Sequence, residues 1–94
     1  MAIKTFKTKE AAAVFARIRV KRLGVDVQTL AQRKFLLLDR VAAVEELRIP
    51  PGNRLEKLSG DRFGQWSIRI NAHWRVCFSW ADGNAWDVEI VDYH

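Results

Sequence analysis

The chain has 94 residues, of which 49% are hydrophobic, and a formal net charge of +5. This length predicts a single domain, residues 1–94, whose core buries roughly 65% of the unfolded chain's surface. A single cysteine, Cys77, excludes an intramolecular disulfide, and two histidines, His73 and His94, are too few for a zinc cluster. We expect no metal and no other cofactor. Because no apolar run is long enough for a signal core or a membrane span, we expect a cytoplasmic protein.

The positive charge is concentrated in the first half of the chain. Residues 1–40 contain ten Lys and Arg against three Asp and Glu, whereas residues 41–94 contain six against eight. Such a field attracts polyanions and acidic proteins without sequence selectivity. It is equally typical of a solvated helix surface that keeps a protein soluble. The charge alone leaves both interpretations open.

The first half of the chain predicts a short strand followed by two helices. Residues 3–6 can form the strand, and Thr8 is an N-cap residue type at the start of an apolar stripe with helical spacing. Gly24 is expected to end the first helix and Asp26 to cap the second. The two stripes consist of Ala11, Val14, Phe15 and Ile18, and of Val27, Leu30, Ala31, Phe35, Leu38 and Val41. They predict a helical hairpin with one apolar seam.

The second half predicts a sheet. The sequence Pro-Pro-Gly-Asn at residues 50–53 breaks the helical pattern, residues 60–64 form a turn, and residues 54–58 lie between them as a short segment. Three stretches then alternate apolar and polar side chains, with a tight turn at Asp82 and Gly83. Their apolar positions are Trp66, Ile68 and Ile70, then Trp74, Val76, Phe78 and Trp80, then Trp86, Val88 and Ile90. We therefore predict an α+β fold in which an N-terminal strand and a two-helix hairpin pack on a mainly antiparallel sheet of four to five strands.

The alternation also predicts a polar face on this sheet. If the apolar faces pack on the helices, Arg69, Asn71 and Arg75 project from the opposite face, where cross-strand neighbours lie about 5 Å apart. The parity of the last strand places Tyr93 on the same side. Arg69 and Arg75 are either a phosphate-binding pair or ordinary cross-strand surface charges.

The sequence ends in Asp92, Tyr93 and His94, an acid, a phenol and an imidazole in a row. All three side chains can move protons, and imidazole, with an ordinary pKa of about 6.5, does so near neutral pH. The opposing interpretation is that His94 is an inert terminal residue, since chain ends are commonly poorly ordered.

Several segments carry a resemblance to a known family. They are residues 50–55 (PPGNRL), 58–62 (LSGDR), 64–69 (GQWSIR), the pair Trp74 and Arg75, and residues 88–94 (VEIVDYH). In these the chain resembles the HigB branch of the RelE/ParE toxin superfamily, the plasmid maintenance killer proteins. The resemblance implies a RelE-like fold, a ribosome-dependent mRNA endonuclease, and neutralisation by a HigA-like helix-turn-helix antitoxin. The complex of toxin and antitoxin would bind operator DNA through the antitoxin.

For an RNA-cutting enzyme of this kind, the residue types indicate roles for single residues. Arg75, with Arg69, would hold the scissile phosphate, because a guanidinium pairs two phosphate oxygens at once. His94 would transfer protons, Asp92 would orient or bias it, and Tyr93 would stack on a base or donate a proton. No metal is required, because the 2′-hydroxyl of RNA is itself the nucleophile.

One position departs from the family pattern. The segment before the Gly-Asp-Arg motif can carry a catalytic histidine in the family, whereas this chain has Glu56 and Lys57 there. If acid and base are split between two sites, either Glu56 or Lys57 must substitute for the histidine, or this branch of the family is a slower enzyme. Further RNA contacts are predicted at Asn71, Arg62 and Lys57.

Two other classes of function remain open. A ParE-like gyrase inhibitor would use the same scaffold by binding alone, and a non-catalytic RNA-binding domain would need only the basic helices and the polar sheet face. The ending at residues 92–94 favours the nuclease. On that hypothesis the partners are the ribosome, mRNA and an antitoxin, with no membrane association.

Overall fold

A four-stranded antiparallel sheet in the order β1-β2-β3-β4 forms one layer of the protein in a computed structural model, which describes residues 1–93. Two helices cover one face of the sheet, so the predicted α+β class is confirmed. The strands are β1 (Glu56–Lys57), β2 (Gln65–Arg69), β3 (Trp74–Ala81) and β4 (Asn84–Asp92), and the helices are α1 (Lys9–Phe15) and α2 (Val25–Arg40). Three 3₁₀ turns lie between α2 and β2, at Val44–Arg48, Pro51–Asn53 and Gly60–Arg62.

The N-terminal segment does not form the continuous strand that the sequence predicts. It runs parallel to β4 through two isolated bridges, Ile3 with Ala85 and Phe6 with Val88. Four backbone hydrogen bonds of 2.7–3.1 Å hold it there. The interruption follows from an irregularity in β4 at Asp87, whose backbone N–H donates to the Thr5 hydroxyl at 2.8 Å instead of to a backbone carbonyl.

The first helix begins where predicted but ends early. Thr8 is its N-cap, with the hydroxyl accepting from the Ala11 N–H at 3.1 Å. The helix stops at Phe15 because Arg17 adopts a left-handed conformation, φ 64°, so Ile18 leaves the apolar stripe and is 60% exposed. Gly24 was expected to end this helix, but it is the N-cap of α2. The predicted cap Asp26 instead lies in the first turn of α2.

The core lies between the helices and the apolar face of the sheet. Phe35 and Leu38 of α2 pack with Ile68, Val76 and Phe78, all of which are fully buried. Each such side chain contributes about 1.5–3 kcal/mol by leaving water. Within the described part of the chain no helix is long and apolar enough to cross a membrane.

The last strand contains a bulge that changes its predicted pattern ahead of Val88. Pairing with β3 shifts register between Cys77 and Ser79, and Asp87 has φ 53°. As a result Ala85 occupies the core position, while Trp86 is 36% exposed and its indole N–H donates to the Ala81 carbonyl at 3.2 Å. The prediction that Trp86 shares the core face with Val88 and Ile90 is therefore wrong. A bulge adds one residue to a strand and so moves its neighbours to the other face.

Candidate active site

The sheet face that points away from the helices carries a row of polar and ionisable side chains. Glu56, Ser67, Cys77 and Glu89 are successive cross-strand partners from β1 to β4. Paired residues of an antiparallel sheet point to the same face, so these four side chains share one surface. Ser67, Cys77 and Glu89 are buried, whereas Glu56 is exposed.

Arg75 lies beside this row and is fixed in place. Its Nε donates to the Ser67 hydroxyl at 2.8 Å, and its Nη2 donates to the Arg54 carbonyl at 2.6 Å and to the Ser67 carbonyl at 3.4 Å. Arg54 presents that carbonyl from a left-handed conformation that ends the Pro51–Asn53 turn. The remaining nitrogen, Nη1, lies 3.9 Å from the Glu56 carboxylate. The expected two-nitrogen grip on a phosphate is therefore not available, because two of the three nitrogens already bind protein groups.

Tyr93 lies over the same guanidinium. The Cζ atom of Arg75 is 5.7 Å from the centre of the Tyr93 ring, within the range of a cation–π contact. The Tyr93 backbone N–H donates to the His73 carbonyl at 2.5 Å, which ties the C-terminal segment to the β2–β3 turn. Burial raises the pKa of the Tyr93 hydroxyl, and Cys77 adds to the rise. The phenol therefore stays protonated near neutral pH and can donate a hydrogen bond or a proton.

The two candidates for the missing family histidine lie on opposite faces of β1. Glu56 pairs with Ser67 and faces Arg75, whereas Lys57 pairs with Trp66 and its ammonium lies 5.5 Å from the centre of that indole ring. Alternation along the strand enforces this separation. Glu56 therefore belongs to the cluster around Arg75, and the structure does not bring Lys57 to it.

Arg62 reaches the site from the Gly60–Arg62 turn. Its Nη1 donates to the Glu89 carboxylate at 3.0 Å and to the Gln65 amide oxygen at 2.9 Å. The hydrogen bond with Glu89 raises the pKa of Arg62. Lys7 makes a second ion pair with Glu89, at 3.4 Å. Two cations thus satisfy a carboxylate that would otherwise be costly to bury on the sheet.

Cys77 and Ser67 occupy the centre of the row, and sequence reasoning assigned neither to the site. Burial raises the pKa of the Cys77 thiol, so it stays neutral and is not an activated nucleophile. Ser67 holds Arg75 through both its hydroxyl and its carbonyl. The serine could have been found from its parity, since it alternates with Ile68 and faces the same side as Arg75.

Two further predicted RNA-binding residues lie at the end of β2 and in the turn that follows it. Arg69 pairs with Arg75 in register and therefore shares its face of the sheet, as predicted. Its charge is also the second cause, after burial, of a lowered pKa of Lys34 in α2. Asn71 forms the β2–β3 turn, and its amide oxygen accepts the backbone N–H groups of His73 and Trp74, both at 2.9 Å. Asn71 is thus occupied in building the turn.

The terminal triplet is only partly described. Asp92 pairs with Trp74, so its side chain belongs to the helix-facing side of β4 and not to the side of Arg75 and Tyr93. There its charge helps to raise the pKa of Arg22, whose principal partner is Glu10. His94, the predicted proton-transfer residue, lies outside the described residues. Among residues 1–93 no cluster of three or more His, Cys, Asp or Glu side chains could hold a metal ion.

Comparison with known proteins identifies relatives of the whole chain. Residues 5–94 match the model of the HigB-like toxin family, described as the RelE-like toxin of the type II toxin–antitoxin system HigB. The Endoribonuclease HigB of Proteus vulgaris is 35% identical over 97 aligned positions, covering 98% of this chain and 99% of that protein. The Toxin HigB-1 of Vibrio cholerae serotype O1 is 51% identical over 67 residues, covering 71% of this chain and 70% of that protein.

Solved structures support the fold. Two structures of the YoeB–YefM complex from Staphylococcus aureus, one titled a heterotetrameric toxin–antitoxin complex, each contain a chain that matches all of this one with TM-scores of 0.62 and 0.63. Each match covers 99% of that chain at 17% identity. The family match and the full-length relative confirm the resemblance that the sequence motifs indicate. The chain belongs to the HigB-like toxins, the RelE-like toxins of type II toxin–antitoxin systems.

Proposed function

We propose that the protein is an endoribonuclease that cuts mRNA on the translating ribosome and thereby inhibits translation. The observation that carries the proposal is the cluster on the polar sheet face, where an anchored guanidinium, Arg75, lies between a carboxylate, Glu56, and a phenol, Tyr93. Membership of the HigB-like family and the name of the Proteus vulgaris relative, an endoribonuclease, support the same activity.

The reaction needs three actions from the protein. A base removes the proton of the 2′-hydroxyl, the resulting oxygen attacks the neighbouring phosphorus, and the bond to the 5′-oxygen breaks as that oxygen takes up a proton. A cation stabilises the negative charge that builds on the phosphate oxygens. The products are a 2′,3′-cyclic phosphate and a 5′-hydroxyl, and no external oxidant or cofactor enters the balance.

The side chains around Arg75 are suited to these actions. Nη1 of Arg75 stabilises the phosphate, since the other two nitrogens are held by Ser67 and Arg54. Glu56, whose side chain is 54% exposed and faces Arg75, accepts the 2′-hydroxyl proton. His94 supplies the proton to the leaving oxygen, a role proposed from its residue type and family motif. Tyr93, whose pKa is raised by burial, stacks on a base or assists the proton transfer as a donor.

The other predicted residues take secondary roles in this proposal. Arg62 offers a second positive charge to the RNA backbone from its ion pair with Glu89. Asp92 orients or electrostatically biases His94. Arg69 and Lys57 contribute to the positive field at the edges of the site. Asn71 contributes by shaping the turn that binds the Tyr93 backbone.

An antitoxin is the expected regulatory partner. The family belongs to type II toxin–antitoxin systems, and the structural neighbours are toxin–antitoxin complexes. Because the first 40 residues are strongly basic, an acidic antitoxin surface would bind them with a salt-dependent affinity. Equal affinity at low and high salt would contradict this contact.

Growth arrest on expression tests the proposal and separates it from gyrase poisoning. Arg75→Ala, Glu56→Gln and His94→Ala should each relieve the arrest, because a general acid or base is worth about 10² to 10⁴ in rate. Arg48→Ala and Glu45→Gln, charge-matched changes of exposed residues in the Val44–Arg48 turn, should not. Persistent arrest in all three site variants, with intact mRNA and broken DNA, would favour the gyrase inhibitor.

A further inference from the structure

The residue after Arg62 is an exposed aromatic side chain that the fold does not use. Phe63 is 86% exposed, whereas Phe6, Phe15 and Phe35 form an aromatic cluster with ring centres 5.5–6.3 Å apart. Its backbone N–H closes the 3₁₀ turn by donating to the Gly60 carbonyl at 3.1 Å. Gly64, with φ 92°, then returns the chain to β2. The turn therefore holds the phenyl ring out in water at a fixed point of the surface.

That point borders the candidate active site. The side chain of the preceding residue, Arg62, runs onto the polar sheet face, where it binds Glu89 at 3.0 Å. Burial raises the pKa of Cys77 and of Tyr93, and the nearby charge of Arg62 opposes that rise. Tyr93 in turn lies over Arg75. Phe63 is thus the chain neighbour of an arginine whose side chain reaches the sheet face that also carries Tyr93 and Arg75.

We propose that Phe63 is a stacking platform for a nucleobase adjoining the scissile phosphate, a specificity-determining residue that rests on the proposed nuclease function. Unstacked bases of single-stranded RNA pack on aromatic side chains, and guanidinium groups hold the intervening phosphates. Tyr93 and Phe63 supply two rings, and Arg75 and Arg62 supply two cations beside them. Phe63 would hold the RNA without taking part in proton transfer.

Cleavage of a synthetic mRNA on programmed ribosomes tests this role in a double-mutant cycle. One half of the cycle replaces Phe63 by Leu, which keeps an apolar side chain but removes the ring. The other half replaces each nucleotide near the cut, in turn, by an abasic one. A stacked base is worth about 5- to 150-fold by truncation, so Phe63→Leu should slow cleavage of intact mRNA by that factor. One abasic position should slow the wild type equally and leave Phe63→Leu no slower, and Phe63→Trp should retain the wild-type rate.

Controls separate this inference from the nuclease proposal itself. Ile18→Ala, a change of an exposed apolar residue between the helices, should not alter the loss caused by the abasic nucleotide. If the wild type cuts and Arg75→Ala does not, while Phe63→Leu cuts at the wild-type rate, only the role of Phe63 is overturned. Weaker antitoxin binding by Phe63→Leu with unchanged cleavage would overturn it in favour of a protein contact. If the wild type leaves mRNA intact, both proposals fail.

Discussion

Arg75 is held by hydrogen bonds that only a guanidinium can make. Nε and Nη2 together donate to the Ser67 hydroxyl, the Ser67 carbonyl and the Arg54 carbonyl, in fixed directions. A lysine ammonium is a point charge on a flexible stem and cannot satisfy all three acceptors while also facing a phosphate. At this position, charge without the guanidinium geometry is not sufficient.

We therefore expect Arg75→Lys to be nearly as damaging as Arg75→Ala. Loss of a preorganised donor to a developing negative charge costs about 10² to 10³ in rate, so cleavage on ribosomes should fall by that factor. The single-turnover rate measures it, with the exposed Arg48→Lys as a matched control that should keep full activity. A rate for Arg75→Lys within about threefold of wild type would show that charge alone suffices.

The sole cysteine gives a test of the packing of the polar face. Burial raises the pKa of the Cys77 thiol, and its side chain is fully buried, so little reactive thiolate is present at pH 8. Alkylation by iodoacetamide, followed by mass spectrometry, should be at least about tenfold slower in the folded protein than in guanidinium chloride. Equal rates in the two states would mean that the Cys77 side chain is accessible to solvent on this face of the sheet.

Residue types and parity were enough to predict part of the site. Arg75 and Tyr93 were expected on the same polar surface, and the structure brings them together. Glu56 and Lys57 could not be separated by sequence, because the choice depends on the register of β1 against β2, a pairing between distant segments. Ser67 was missed because its importance comes from its partner and not from its own chemistry.

At the scale of the elements, the N-cap of α1 depends on one side-chain hydrogen bond, and its loss should lower the stability of the protein by a limited amount. Thr8→Ala removes the acceptor of the Ala11 N–H and should destabilise the protein by about 1 kcal/mol. For a domain of this size that lowers the unfolding midpoint by about 4–8 °C in a thermal scan. Thr8→Ser keeps the hydroxyl and should remain close to wild type. An unchanged midpoint for Thr8→Ala would show that the Thr8 cap does not stabilise the protein.

Alternation predicted the strands well and their irregularities poorly. Residues 65–69 and 74–81 follow the period of two, and the predicted core positions Ile68, Val76 and Phe78 are buried. The bulge at Asp87 and the early end of α1 both depend on non-glycine residues with positive φ, Asp87 and Arg17. Sequence patterns do not predict such conformations, because a non-glycine residue with positive φ is strained and is held there by tertiary contacts.

At the scale of the molecule, the basic residues of the helices and the candidate active site lie on different sides of the protein. The helical side carries a groove of about 390 Å³ whose lining includes Arg17, Arg19 and Arg33. The opposite face of the sheet carries Arg75, Glu56 and Tyr93. In our proposal the helices bind ribosomal RNA or an acidic antitoxin, while the sheet face holds the mRNA. Under this proposal, the separation would account for the excess of basic residues in the first half of the sequence.

The most direct test of the account maps cuts in a defined mRNA by primer extension, with and without translating ribosomes. We predict cuts within codons that require ribosomes, occur with the wild type and are absent with Arg75→Ala. Retained antitoxin binding would show that the Arg75→Ala protein is folded. Intact mRNA during translation by the wild type, or equal cutting by Arg75→Ala, would contradict the assignment of the polar sheet face as the active site.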